Sequence, residues 1–88
     1  MENKVNEPKE IDTLLKKTFL NKEFLFIDSE KKVVTTIKKI KKTKQGLYKF
    51  YLHSSHYVAY ALWKACDAIH EMLMDYFGLD NFEYEWKV

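Results

Sequence analysis

Six lysines (Lys38, Lys39, Lys41, Lys42, Lys44 and Lys49) crowd one short stretch, with Tyr48 and Tyr51 among them. Ammonium groups neutralise phosphates and exposed aromatic rings stack on bases, so this stretch has the make-up of a nucleic-acid contact. An acidic protein surface would satisfy the same charges. A lysine-rich strand is also the usual device that keeps a sheet edge from associating. All fifteen basic residues are lysine. Without a guanidinium fork there is no bidentate grip on guanine, phosphate or carboxylate.

The remaining candidates for chemistry are thinner. Cys66 and His70 stand four apart, a spacing that can hold a metal on one side of a helix. A closed zinc site wants about four good ligands, and only His53 and His56 remain, a helix length away. Cys66 therefore reads as a small core residue, and neither a metal nor a cofactor is expected. His53-Ser54-Ser55-His56 precedes a long helical pattern. Free N–H groups at a helix start favour an anion, but Ser54 or Ser55 acting as a simple N-cap is the preferred reading. Glu83 and Glu85 lie on one side of a strand, as paired carboxylates would, without a visible cause for a shifted pKa. Gly46 and Gly78 are the only glycines, so a glycine-rich phosphate loop is absent. No catalytic constellation forms, and the chain is not expected to be an enzyme.

The element that must position most of these groups is a helix over His56–Phe77, closed by Gly78 in the left-handed conformation. Lys64, Asp67, Glu71 and Asp75 form its polar stripe. The apolar arc spans roughly 240°, against the roughly 100° that one packing surface needs. Two contacts follow: one onto a sheet, the other onto a second helix or another subunit. A shorter helix over residues 8–20, with Ile11, Leu14, Leu15, Thr18 and Phe19 on one side, is the natural second neighbour. Trp63, His70 and Met74 line the outer flank of the long helix. Covered by the first helix they are core. Left bare, they and Trp86 make a protein interface.

Strands are expected at Phe24–Ile27, Lys32–Lys42, Leu47–His53 and Phe82–Val88, with a turn at Asp28–Lys31. In the second strand Ile40 breaks the parity of Val33, Thr35 and Ile37. A bulge near Lys38–Lys39 would restore it. The last strand alternates strictly: Phe82, Tyr84, Trp86 and Val88 against Glu83, Glu85 and Lys87. It would return parallel to the third strand across the helix, or pair with a second molecule. The fold class is α+β, α-β-β-β-α-β, with an antiparallel sheet on one long helix and a shorter N-terminal helix. Residues 1–7 read as a flexible N-terminus and residues 8–88 as a single domain. The α-β-β-β-α order is similar to that of double-stranded-RNA-binding domains. Their second helix normally opens on a lysine cluster, whereas this one opens His56-Tyr57-Val58-Ala59-Tyr60, so the likeness is of element order alone.

Length, charge and cysteine usage set the remaining bounds. Eighty-eight residues, fourteen of them Phe, Tyr or Trp, suit one small folded domain that relies on aromatic packing. The single cysteine precludes an internal disulfide, and neither a signal peptide nor a long apolar segment is visible. A cytoplasmic protein with no membrane partner is the expectation. The net charge of +2 is divided, +6 over residues 1–49 and −4 over residues 50–88. Such a chain can attract copies of itself or orient on a charged partner. These features point to a small non-enzymatic interaction or inhibitor-type protein, of the make-up common among accessory proteins of phages and mobile elements. It would bind a protein partner through its aromatic and lysine-rich surfaces. The alternatives are a nucleic-acid-binding module using the hairpin 38–51, and a homodimer formed through the last strand or the Trp63 flank.

Overall fold

Pro8 has no N–H to leave unpaired, and it opens the first helix, α1 (Pro8–Phe19). A computed structural model describes residues 8–28 and 30–88; the segment expected to be loose, 1–7, lies outside the described residues. Four strands follow the order foreseen: β1 (Glu23–Asp28), β2 (Lys31–Lys42), β3 (Tyr48–Ser54) and, after the long helix α2 (Ala59–Phe77), β4 (Phe82–Lys87). The expected turn at Asp28–Lys31 falls partly outside the described residues, because Ser29 is not among them.

The sheet order is β1-β2-β3-β4. The first three strands form an antiparallel meander, and β4 runs parallel to β3. The sheet is thus mixed rather than wholly antiparallel. The cause is the α2 crossover, which brings the chain back to the end of the sheet from which β3 departed.

The parity slip in β2 is resolved as the sequence suggests. Ile37 faces Leu52 and Lys39 faces Tyr51, so Lys38 is the extra residue of a bulge. Ile40 thereby returns to the buried side beside Val33, Thr35 and Ile37. Just before the bulge, Ile37 exchanges backbone hydrogen bonds with the α1–β1 link: Asn21 N–H donates to its carbonyl at 2.7 Å, and its own N–H donates to Lys22 at 3.0 Å. Asn21 takes a left-handed φ of 66°, which short polar side chains tolerate.

One side of the sheet carries the core. Ile37, Ile40, Phe50 and Leu52 meet Leu15 and Phe19 of α1 and Ile69 and Leu73 of α2. The Phe19 ring sits edge-on to Phe50 at 5.4 Å and near Phe77 at 6.1 Å, so both helices share one apolar layer. Along α2 the fully buried residues are Ala61, Ala65, Ile69 and Leu73, four apart. Alanine at its N-terminal half lets the helix backbone come close to the strands.

The start of α2 differs from the expectation. It begins at Ala59, not His56, behind an extended Val58 that makes no side-chain cap. Ser54 and Ser55 are engaged elsewhere. Ser54 Oγ shares a buried 2.9 Å hydrogen bond with Thr35 Oγ1, and Ser55 Oγ accepts the Val34 N–H at 3.1 Å. The ladder to β2 claims both hydroxyls and holds the chain extended past His53, which delays the helix. Its end is as expected. Gly78 adopts φ 67°, donating to Met74 at 3.2 Å, and Leu79 donates back to Leu73 at 3.1 Å.

Candidate functional site

The strand register divides the lysine cluster. Lys39 opposes Tyr51 and Lys41 opposes Lys49, so these four share the side of the sheet away from the helices. Lys42 opposes Tyr48 on the helix side, its Nζ 5.5 Å from that ring. Lys38 occupies the bulge and Lys44 the exposed turn before β3. Tyr51 is bracketed by two ammonium groups, Lys39 at 5.6 Å and Lys49 at 5.3 Å from its centroid. Lys49 also pairs with Glu85 of β4 at 3.3 Å, and that hydrogen bond raises its pKa above the ordinary lysine value. The outer side of the sheet is therefore mixed in sign, with lysines on β2 and β3 and Glu83 and Glu85 on β4.

Tyr48 departs from its expected role. It is only 7 % exposed and donates a 2.6 Å hydrogen bond to Asp12 of α1. Burial first, then that hydrogen bond and the charge of Asp12, raise its phenol well above the usual tyrosine range. A ring held this way presents no stacking surface. The residue's position in β3, opposite Lys42, places it under α1.

On the other flank, α1 does not cover the outer side of α2. It packs through Leu15 and Phe19 onto the sheet and meets α2 near Phe77. Trp63 is left 63 % exposed and Met74 52 %, so neither is core. His70 is half-buried, its Nε2–H donating to the Asp80 carbonyl at 3.0 Å. Trp63, Cys66 and His70 border a shallow groove of about 280 Å³ whose far wall is Asp80, Asn81 and Phe82.

Aromatic residues continue from this groove along β4. Phe82 lies edge-on to Phe50 at 5.5 Å, which places it on the helix side, and Tyr84 follows on the same side at 6.4 Å. Tyr84 is nevertheless 50 % exposed. Trp86 is half-buried against the core and stacks on Tyr57 at 5.0 Å, while Tyr57 itself is 73 % exposed. Tyr60 stands next to Trp63 at 6.3 Å. The strand with the strictest alternation in the chain thus has an apolar side that its own helix covers only in part. Sequence reasoning passed over Tyr57, Tyr60 and Tyr84. The alternation of β4 puts Tyr84 on the apolar side, but a period does not reveal that the strand lies at the sheet edge.

Burial pushes the Cys66 thiol up to about 11, so it remains protonated and a poor nucleophile near neutrality. Among the described residues, three or more His, Cys, Asp or Glu side chains do not gather anywhere in a way that could hold a metal ion. Nor is any described helix long and apolar enough to cross a membrane. The fold and site define a small α+β domain with an uncovered aromatic flank. Comparison of the chain with protein-family models, curated proteins and solved structures found no match.

Proposed function

We propose that this chain is a small non-enzymatic interaction protein, of the accessory or inhibitor type, that docks its aromatic flank onto a macromolecular partner. The observation that carries the reading is a set of four aromatic residues, each at least half exposed: Trp63 on the groove with Tyr60 beside it, and Tyr84 and Tyr57 against Phe82 and Trp86 of β4. Aromatic residues dominate the energetics of interfaces, and a continuous apolar patch rimmed by polar groups is costly to leave in water. The lysines of β2 and β3 would orient an acidic partner on approach. The test is affinity capture from the native host with the wild-type chain and with Trp63→Ala, each with and without nuclease. A partner retained by wild type after nuclease and lost by the variant supports the reading. Equal recovery by both chains refutes it.

A second reading rests on Lys39, Lys41, Lys49 and Tyr51 sharing the open sheet face, where they could follow a nucleic-acid backbone. Substituting Lys39 and Lys41 by Glu should then abolish a binding that falls steeply with salt. Retained affinity would exclude that face.

A further inference from the structure

The geometry points to a second copy of this chain as the occupant of the β4 edge, paired antiparallel about a two-fold axis at Glu85. This inference rests on the aromatic flank being a docking surface, and it names the partner.

The sheet order leaves β1 and β4 as its two edges. An edge strand offers unpaired backbone N–H and C=O groups to another strand. Residues directly opposite one another in a sheet share a face, so a two-fold axis through an antiparallel pair must fall on a residue. In β4 the choices are few. An axis at Tyr84 would oppose Glu83 to Glu85 of the second copy, twice, and like charges directly opposite are destabilising. An axis at Trp86 would leave Phe82 and Glu83 beyond the paired segment. An axis at Glu85 aligns the whole strand. It sets Glu83 against Lys87 of the second copy, and Tyr84 against Trp86, each of these pairs occurring twice.

Both kinds of pair are favourable across strands. Glu83 and Lys87 are exposed in the single chain on the outer side of the sheet, where Glu83 also feels the charge of Lys49. The two Glu85 side chains face each other at the axis, but each already has the Lys49 ammonium of its own chain at 3.3 Å. On the helix side, Tyr84 would lose its exposure against an indole, and the Trp63 flanks of the two copies would lie over the shared strands. The other edge has no such solution. β1 reads Glu-Phe-Leu-Phe-Ile-Asp, with charges of one sign only, so self-pairing brings no ion pair. The product is an eight-stranded sheet made of two four-stranded halves.

The experiment is light scattering over a concentration series on wild type, Glu83→Lys, Lys87→Glu and the double variant, with circular dichroism confirming that each is folded. The expected result is a wild-type mass near twice 10.6 kDa, a fall to 10.6 kDa for each single reversal, and recovery of the dimer in the double variant. A wild type that stays monomeric throughout overturns the inference. So does a dimer indifferent to either single reversal. In the monomeric case the docking reading survives separately if Trp63→Ala still abolishes capture of another macromolecule.

Discussion

The phenol of Tyr48 in β3 donates a 2.6 Å hydrogen bond to Oδ1 of Asp12 in α1, 36 residues earlier in the chain. This contact ties the first helix to the sheet at the end where the β2–β3 hairpin turns. It also converts a residue that could have stacked on a ligand into part of the scaffold. Hydrogen bonds to charged groups contribute about 1.5–3 kcal/mol. Asp12 is only half-buried and regains water when its partner is lost, so Tyr48→Phe should cost about 1.5 kcal/mol, the lower end of that range. The pH dependence has a definite sign. The folded-state pKa is raised, so the contribution is complete below the ordinary tyrosine value near 10 and declines as pH climbs beyond it, where the unfolded chain ionises first. Urea unfolding of wild type and Tyr48→Phe on both sides of that value should show their stability difference shrinking in alkali. A difference independent of pH would mean that the phenol is neither buried nor bonded to Asp12.

Thr35 and Ser54 are both fully buried, and their hydroxyls satisfy each other at 2.9 Å. Removing one partner strands the other, at a cost of about 1–3 kcal/mol for an unpaired buried hydroxyl. Ser54→Ala and Thr35→Val should each be destabilising by that order. The double variant should lose clearly less than the two single losses added together, because it leaves no orphan. A double-mutant cycle by denaturant unfolding measures this directly, and strict additivity would show that the hydroxyls do not depend on one another.

The element order and the bulge were legible because each follows from local pattern, whereas the parallel return of β4 beside β3 was one of two options the pattern left open. Ile40 falling out of step with Val33, Thr35 and Ile37 implied an extra residue, and strict alternation marked β4. What the pattern could not show was which groups would compete for a side chain. Ser54 and Ser55 suit a helix cap by type, but Thr35 and the Val34 N–H reach them first, so α2 starts at Ala59. Alternation along β3 does put Tyr48 with Phe50 and Leu52, on the other side from Tyr51, and the structure agrees; what it does not reveal is that Asp12 of α1 reaches the Tyr48 phenol. Trp63 and Met74 depended on where α1 would lie. Its own amphipathic side fits the sheet near Phe50 as well as it would fit α2, and sequence periodicity does not choose between them.

Cys66 borders the groove beside Trp63 and His70, but burial holds its thiol near 11. Only the thiolate is alkylated at a useful rate. Reaction with iodoacetamide should therefore be slow at neutral pH and keep accelerating up to about 11, whereas an ordinary cysteine levels off near 8.5. Mass spectrometry of quenched aliquots across a pH series gives the profile. A plateau near the ordinary value would place Cys66 in open solvent, and the groove would then be more accessible than its geometry implies.

The bulge yields a prediction that ordinary strand logic would reverse. Deleting a residue from a strand normally turns everything beyond it to the wrong side. Here Lys38 is the surplus residue between the Ile37–Leu52 and Lys39–Tyr51 pairs. Without it, Ile37 inward, Lys39 outward and Ile40 inward form a regular alternation, and every later pair with β3 is kept. Deletion of Lys38 should leave a cooperatively folded protein within about 1 kcal/mol of wild type, a typical cost for a single change away from the core. Deletion of Thr36, two residues earlier, removes one position from a regular segment instead. With the former bulge residue drawn into the ladder, Ile37 would turn to solvent and Lys38 would point at the core. Burying an unpaired ammonium costs several kcal/mol, and losing a buried isoleucine adds about 2–5 more, so that variant should not fold stably. Thermal unfolding of the two deletion variants side by side distinguishes them. Equal damage from both would mean that Lys38 is held by contacts of its own and is not simply an inserted residue.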